Sequence, residues 1–182
     1  QFAARIGQLA GAYVMGCDVH DFRLDIAAKW GIDGTICAKD AAGCEKVCAD
    51  FTRGRGFDMA VMAFGEEGTE VIKNVAKLMK VTPDTHHMGR IGLVGGLSAT
   101  STWGAGLGNL DLRSCARTGP GYHDAAWEIG ETSYPDVFVR WTTRSNMELA
   151  LRFISEGKID VKKLTTHRVP LRDIDDVVAA HI

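Results

Sequence analysis

Apolar positions in this chain recur with two periods, and the periods alternate. Phe2, Ile6 and Leu9 fall at helical spacing with small Ala3, Ala4 and Gly7 between them, which predicts a helix over 1–10. Tyr13, Val14 and Met15 form a short apolar run after Gly11, which predicts a strand over 12–17. Phe22, Ile26, Ala27 and Trp30 share one face of a helix over 22–30, with Asp21 placed to cap it and Gly31 to end it. A short strand over 34–37 and a helix over 41–53 follow, the helix turning Val47 and Phe51 inward. Arg53-Gly54-Arg55-Gly56 reads as a turn.

The run 57–64 is apolar almost without interruption, as in a strand covered on both faces. A helix over 70–80 presents Val71, Val75 and Leu78, a polar loop spans 81–88, and a strand over 91–94 ends in Gly95-Gly96. Strand and helix alternate to this point, which argues a parallel α/β sheet. From Leu97 the character changes. The stretch 98–108 is rich in Gly, Ser and Thr and reads as a loop; a strand is expected over 110–117, then an irregular segment over 118–135 containing Gly119-Pro120-Gly121. Further strands are expected over 137–141 and 164–169. Helices are expected over 146–156, with Met147, Leu151 and Ile154 inward and Gly157 at the end, and over 172–181. There is no internal repeat and no low-complexity tract.

Composition narrows the partners. The 182 residues are 46% hydrophobic and 24% charged with a net charge of -2, an ordinary globular balance without a basic block, so nucleic acid is not expected as a partner. No apolar run approaches the roughly 20 residues of a membrane span, so no membrane is expected either. The five cysteines are odd in number and several lie in apolar contexts, which fits reduced thiols and a cytoplasmic location. Cys44 and Cys48 would share a helix face, but a zinc site would want a second pair at ligand spacing. The chain opens at Gln1 inside a helix, and is expected to be a piece of a longer polypeptide.

The candidate chemistry starts at Asp18. An acid at the carboxyl end of a parallel strand, with a helix on either side, can accept from two vicinal ribose hydroxyls. An acid there can also simply cap the helix near Asp21, and the residue alone does not choose. His86-His87 with Asp84 reads as a solvated loop, because no partner sits at ligand spacing. His123-Asp124 could touch a substrate or cofactor, or serve the Gly-Pro-Gly turn. His167-Arg168 is expected to pair structurally within a strand, and Trp103 and Trp141 to pack. Gly104-Ala105-Gly106-Leu107-Gly108 contains G-x-G without a clear following helix, so it reads as a loop and not as a phosphate cradle.

Three segments in order carry a resemblance. Gly11-Ala12-Tyr13-Val14-Met15-Gly16-Cys17-Asp18 with Arg23, then 58–65 and 89–96, then Ile154-Ser155-Glu156-Gly157-Lys158-Ile159-Asp160 running to Thr166-His167-Arg168-Val169-Pro170-Leu171, resemble the nucleotide-binding and C-terminal parts of medium-chain dehydrogenases, the zinc-type alcohol dehydrogenase superfamily. Gly119-Pro120-Gly121-Tyr122-His123-Asp124, Tyr134-Pro135, Val139-Arg140-Trp141-Thr142 and Asn146-Met147-Glu148 are similar to a bacterial bi-domain oxidoreductase subgroup of it.

The resemblance implies a Rossmann-type doubly wound parallel sheet that here lacks its first strand and Gly-rich loop, and so has a gap. It implies a partial NAD-binding domain over 1–142 and a C-terminal segment over 143–182 returning toward a catalytic domain. The family's catalytic residues and zinc ligands fall outside these residues. The cofactor site carries over as Asp18 on the ribose, Arg23 flanking it, Phe64 and Gly65 on the adenine side, Val94, Gly95 and Gly96 against the nicotinamide, and Cys115 and Arg117 at the strand end that closes that pocket. An acid repels a 2′-phosphate, so NAD is expected over NADP. A homodimer acting on a small alcohol, polyol or sugar is implied. The alternative is a non-catalytic nucleotide-binding or oligomerisation module derived from a dehydrogenase.

Overall fold

A computed structural model describes residues 1–102, 104, 106–115 and 119–181. Seven helices and five strands are seen among them. Helix α1 (Phe2–Leu9) leads to β1 (Met15–Asp18), α2 (Asp21–Trp30), β2 (Gly34–Cys37), α3 (Ala41–Phe51), β3 (Met59–Ala63), α4 (Thr69–Leu78), β4 (Met88–Val94) and β5 (Asn109–Cys115). Three further helices follow: α5 (Ala125–Glu128), α6 (Thr143–Ser155) and α7 (Ile174–His181), with 3-10 turns over Val161–Leu164 and Leu171–Asp173.

All strand pairing is parallel, but it forms two sheets. One has the order β1-β2 and the other β3-β4-β5. Five parallel strands split two and three match a doubly wound sheet without its central strand. The unpaired backbone edges this leaves are those of β1, β2, β3 and β5.

Around β1 and β2 the helices are fixed by polar ties as much as by packing. Asp33 follows α2 and accepts the N–H of Val14 at 2.8 Å and the side-chain amide of Gln8 at 2.9 Å, so it joins α1, β1 and α2. Phe2 meets Trp30 edge-on, ring centroids 5.7 Å apart. Arg5 Nε donates to the Lys158 carbonyl at 2.8 Å, and Ile159 is buried beside it, so the C-terminal segment lies back on α1.

The main core belongs to the other sheet. Met62 of β3 and Ile91 of β4 pack with Ile72, Ala76 and Met79 from α4 and its end, and with Leu107. Ile91 is 0% exposed.

Several expectations are corrected. Tyr13 and Val14 precede β1 and are not in it. The run 57–64 is not covered on both faces: Met59 is 54% and Val61 44% exposed, while Met62 is buried. Only the α4 side of β3 is packed, so its residues alternate despite an unbroken apolar sequence. On α3 it is Cys44 and Cys48 that turn inward, and Val47 is exposed. On α4 Ile72 and Ala76 are buried, and Val71 faces out.

Helix α6 starts earlier than expected, at Thr143, because Thr142 and Ser145 close a capping box. Its Met147 and Leu151 are 58% and 63% exposed, so that stripe is not inward. The strands expected over 137–141 and 164–169 do not form. Residues 136–138 are a turn, and Val161–Leu164 is a 3-10 turn followed by irregular chain. The β-branched residues there pair with no strand, and strand propensity without a partner is weak. Trp141 is 49% exposed and does not pack in a core. Trp103 lies outside the described residues.

Candidate cofactor crevice

The residues singled out in the sequence lie at the carboxyl ends of the strands, where open parallel sheets bind ligands. Asp18 is the last residue of β1, paired in register with Cys37 of β2. Its Oδ1 accepts the N–H of His20 at 2.9 Å, and its Oδ2 receives Arg23 Nη1 at 3.4 Å. Partial burial opposes its charge, yet the His20 N–H and the Arg23 guanidinium outweigh that and hold the carboxyl below its ordinary value. Asp18 is therefore a fixed, ionised acceptor. Each carboxylate oxygen has room for a second donor.

The capping alternative for Asp18 is met only in part. The bond to His20 closes a turn just ahead of α2, but the N-cap residue is His20 itself, with no side-chain cap. Asp21 begins the helix and does not cap it.

The second cluster sits on the three-stranded sheet. Ala63, Val94 and Cys115 lie side by side in register at the ends of β3, β4 and β5. Phe64-Gly65 and Gly95-Gly96 leave those ends as adjacent loops. Gly95 has φ +99°, and a Cβ there would stand 3.1 Å from the Phe64 carbonyl oxygen. Glycine is required, since it alone takes that conformation freely and lets the loops approach. The loops are then stitched together: Gly68 N–H donates to Ser98 O at 2.8 Å, and Thr100 N–H to Thr69 Oγ1 at 2.8 Å. The Cys115 thiol lies over Gly92, 3.5 Å from where a Cβ would be.

The structure thus brings Phe64, Gly65, Val94, Gly95, Gly96 and Cys115 to one sheet end, and Asp18 with Arg23 to the corresponding end of the other sheet. Arg117 falls outside the described residues. The loop ties through Glu67, Thr69, Ser98 and Thr100 were missed in the sequence, where isolated hydroxyls in Gly-rich loops carry no signal of their partners.

The thiols are not arranged as a nucleophile or a metal site. Burial foremost, then the neighbouring Cys44 and Cys48, push the Cys17 thiol up to about 11. Burial also raises Cys44 and Cys48, and Cys44 Sγ donates to the Cys37 carbonyl at 3.3 Å. All five cysteines are free. Among the described residues no three His, Cys, Asp or Glu side chains gather as a metal site, and His86 meets Asp84 at 3.4 Å in an exposed pair. No helix among them is long and apolar enough to cross a membrane.

No family model matches the sequence, and no curated protein matches it. Solved structures do. The zinc-dependent alcohol dehydrogenase 2 from Streptococcus pneumonia superposes with a TM-score of 0.60 at 20% identity, covering 91% of this chain and 39% of that one. The alcohol dehydrogenase from Aeropyrum pernix gives 0.61 at 18% identity, covering 97% and 42%. The D-arabinose dehydrogenase from Sulfolobus solfataricus gives 0.58 at 18%, covering 87% and 40%. The chain spans about two fifths of the length of these structures. Its fold is that of part of these dehydrogenase structures: a partial, Rossmann-like α/β domain.

Proposed function

We propose that this chain is the nucleotide-binding part of an NAD-dependent oxidoreductase of the alcohol, polyol or sugar dehydrogenase type. The observation that carries the reading is Asp18: an ionised carboxylate with free acceptor capacity, at the carboxyl end of a parallel strand. The residues present fit the two ends of a dinucleotide. Asp18 would accept from the 2′ and 3′ hydroxyls of the adenosine ribose, with Arg23 flanking it. Phe64 and Gly65 would line the adenine side. Val94, Gly95 and Gly96 would lie along the nicotinamide, where the missing side chains permit close backbone approach. Cys115 and Arg117 would close that end.

When bound, the nicotinamide supplies the carbon that exchanges a hydride with a secondary alcohol. These residues bind and orient, and no catalytic role is assigned to any of them. Zinc, in this reading, belongs to a catalytic domain outside them. A homodimer through β5 is part of the proposal, supported by the free edge that β5 presents. Free thiols support a reducing, cytoplasmic setting.

The test is calorimetric titration of NAD and NADP into the intact protein and its Asp18→Ala variant. Hydrogen bonds to a charged group are worth about 1.5–3 kcal/mol, so NAD affinity should fall roughly tenfold or more. The NADP-to-NAD affinity ratio should rise with the repulsion removed. Unchanged NAD affinity removes Asp18 from the site and overturns the reading.

A further inference from the structure

The carboxyl ends of α3 and α4 come together at the amino end of β3, away from the strand ends that bear Asp18 and Gly95. They leave an open cleft of about 570 Å³ between them. Gly56 makes the join close. It has φ +73°, and a Cβ there would stand 2.6 Å from the Lys80 backbone nitrogen. Phe57 N–H donates to Leu78 O at 2.9 Å and Lys80 N–H to Phe57 O at 3.0 Å, so the turn over 52–56 is sewn to the end of α4. Arg55 is thereby set in one cleft with Lys77 and Lys80, and among the described residues Glu45 is the one acid in its lining.

Cations at helix ends commonly serve the last carbonyls of the helix. Here those carbonyls are already taken by backbone. Cys48 O accepts the Thr52 N–H at 3.0 Å, Ala49 O accepts the Gly54 N–H at 2.7 Å, and Leu78 O has Phe57. Lys80 Nζ donates to Asp58 at 2.6 Å. Among the described residues the Arg55 guanidinium and the Lys77 ammonium make no hydrogen bond and no ion pair. Two like charges in one cleft, with neither a carbonyl nor a carboxylate of their own, are set to receive an anion.

We propose that this cleft binds a small organic phosphate, its phosphoryl oxygens on Arg55 and Lys77 and its organic part against Leu78 and Val81. A guanidinium matches two phosphoryl oxygens at once, and a phosphate dianion answers both cations where a single carboxylate would not. The volume suits a small molecule, and the lining is apolar beside the charges, with Ala49, Leu78 and Val81. The cleft lies at the amino end of β3 and the cofactor crevice at the carboxyl ends of the strands, so this inference does not rest on the oxidoreductase reading.

Calorimetry of the intact protein at fixed ionic strength, with phenyl phosphate as the probe, tests this. Wild type should bind it saturably at one site. Arg55→Ala combined with Lys77→Ala should weaken binding roughly tenfold or more, as loss of bonds to a charged group does. The Tm of that variant should hold, since both side chains are exposed. Glu45→Gln should tighten binding severalfold, a gain that a damaged fold cannot imitate. Inorganic phosphate, which lacks an apolar part, should bind more weakly than phenyl phosphate. No binding by wild type, equal affinity in wild type and the double variant, or inorganic phosphate bound as tightly as phenyl phosphate overturns the proposal.

Discussion

At the scale of single residues, Asp18 and Asp33 show how one side-chain type takes two tasks. Asp18 is held ionised at a strand end with acceptor capacity to spare. Asp33 is held ionised because it accepts first from the Val14 N–H and then from Gln8, and both its partners are structural. A carboxyl whose folded value lies below its unfolded one adds stability above the ordinary range near 4, and that stability is lost as pH falls through the folded value. Asp33→Asn should therefore flatten the acid side of the stability profile, followed by chemical denaturation between neutral pH and mildly acidic pH. At neutral pH the same variant should lose about 1 kcal/mol, the net worth of a typical hydrogen bond. A profile as steep as wild type would assign the acid sensitivity elsewhere. Neither task could be read in advance: Asp18 follows Cys17 and Asp33 follows Ile32, each near a predicted element end, and only the partners tell them apart.

At the scale of elements, β3 and β4 are packed on the α4 side only. Ile91→Ala should cost about 2–5 kcal/mol, as deletions at fully buried aliphatic positions do. Met59→Ala, three positions before the buried Met62 and so on the open face, should cost less than about 0.5 kcal/mol. Urea midpoints of the two variants decide this, and equal losses would mean that the open face is covered. Removing the cap of α6 by Thr142→Ala should cost about 1 kcal/mol by the same measurement. Elements whose partners are local were legible: helix α2 ends at Gly31, and β4 ends at Gly95, where the spacing places them. The elements expected at 137–141 and 164–169 failed because strand character counts only when the segment is paired, and sequence pattern does not say which segments lie beside a strand.

At the scale of the whole molecule, two half-sheets expose unpaired edges and an apolar face. The β3 edge, Met59–Ala63, carries no charge or proline to guard it, which makes it prone to pair with other chains. Residues 1–182 should self-associate as concentration rises, and Met59→Lys with Val61→Lys should suppress this in sedimentation velocity. Association unchanged by the two lysines would place the contact elsewhere. A peptide limited to residues 1–182 starts at α1 with no Gly-rich loop ahead of it, so that peptide should bind NAD more weakly than micromolar. Calorimetry giving micromolar affinity for residues 1–182 would contradict the assignment of the pyrophosphate grip to such a loop.

The amino-acid sequence by itself determined the alternation of helices and strands, the parallel pairing that alternation requires, and the placing of an acid and two glycine pairs at strand ends. Those depend on local periodicity and on backbone freedom, which are written residue by residue. Only the tertiary structure decided which face of each element is covered, and that Asp18 is bonded to His20 and Arg23 while keeping room for more. It alone brought Arg55 and Lys77 into one cleft. These depend on partners distant along the chain, and a hydrogen bond or a packed ring leaves no mark on the spacing of the residues that make it.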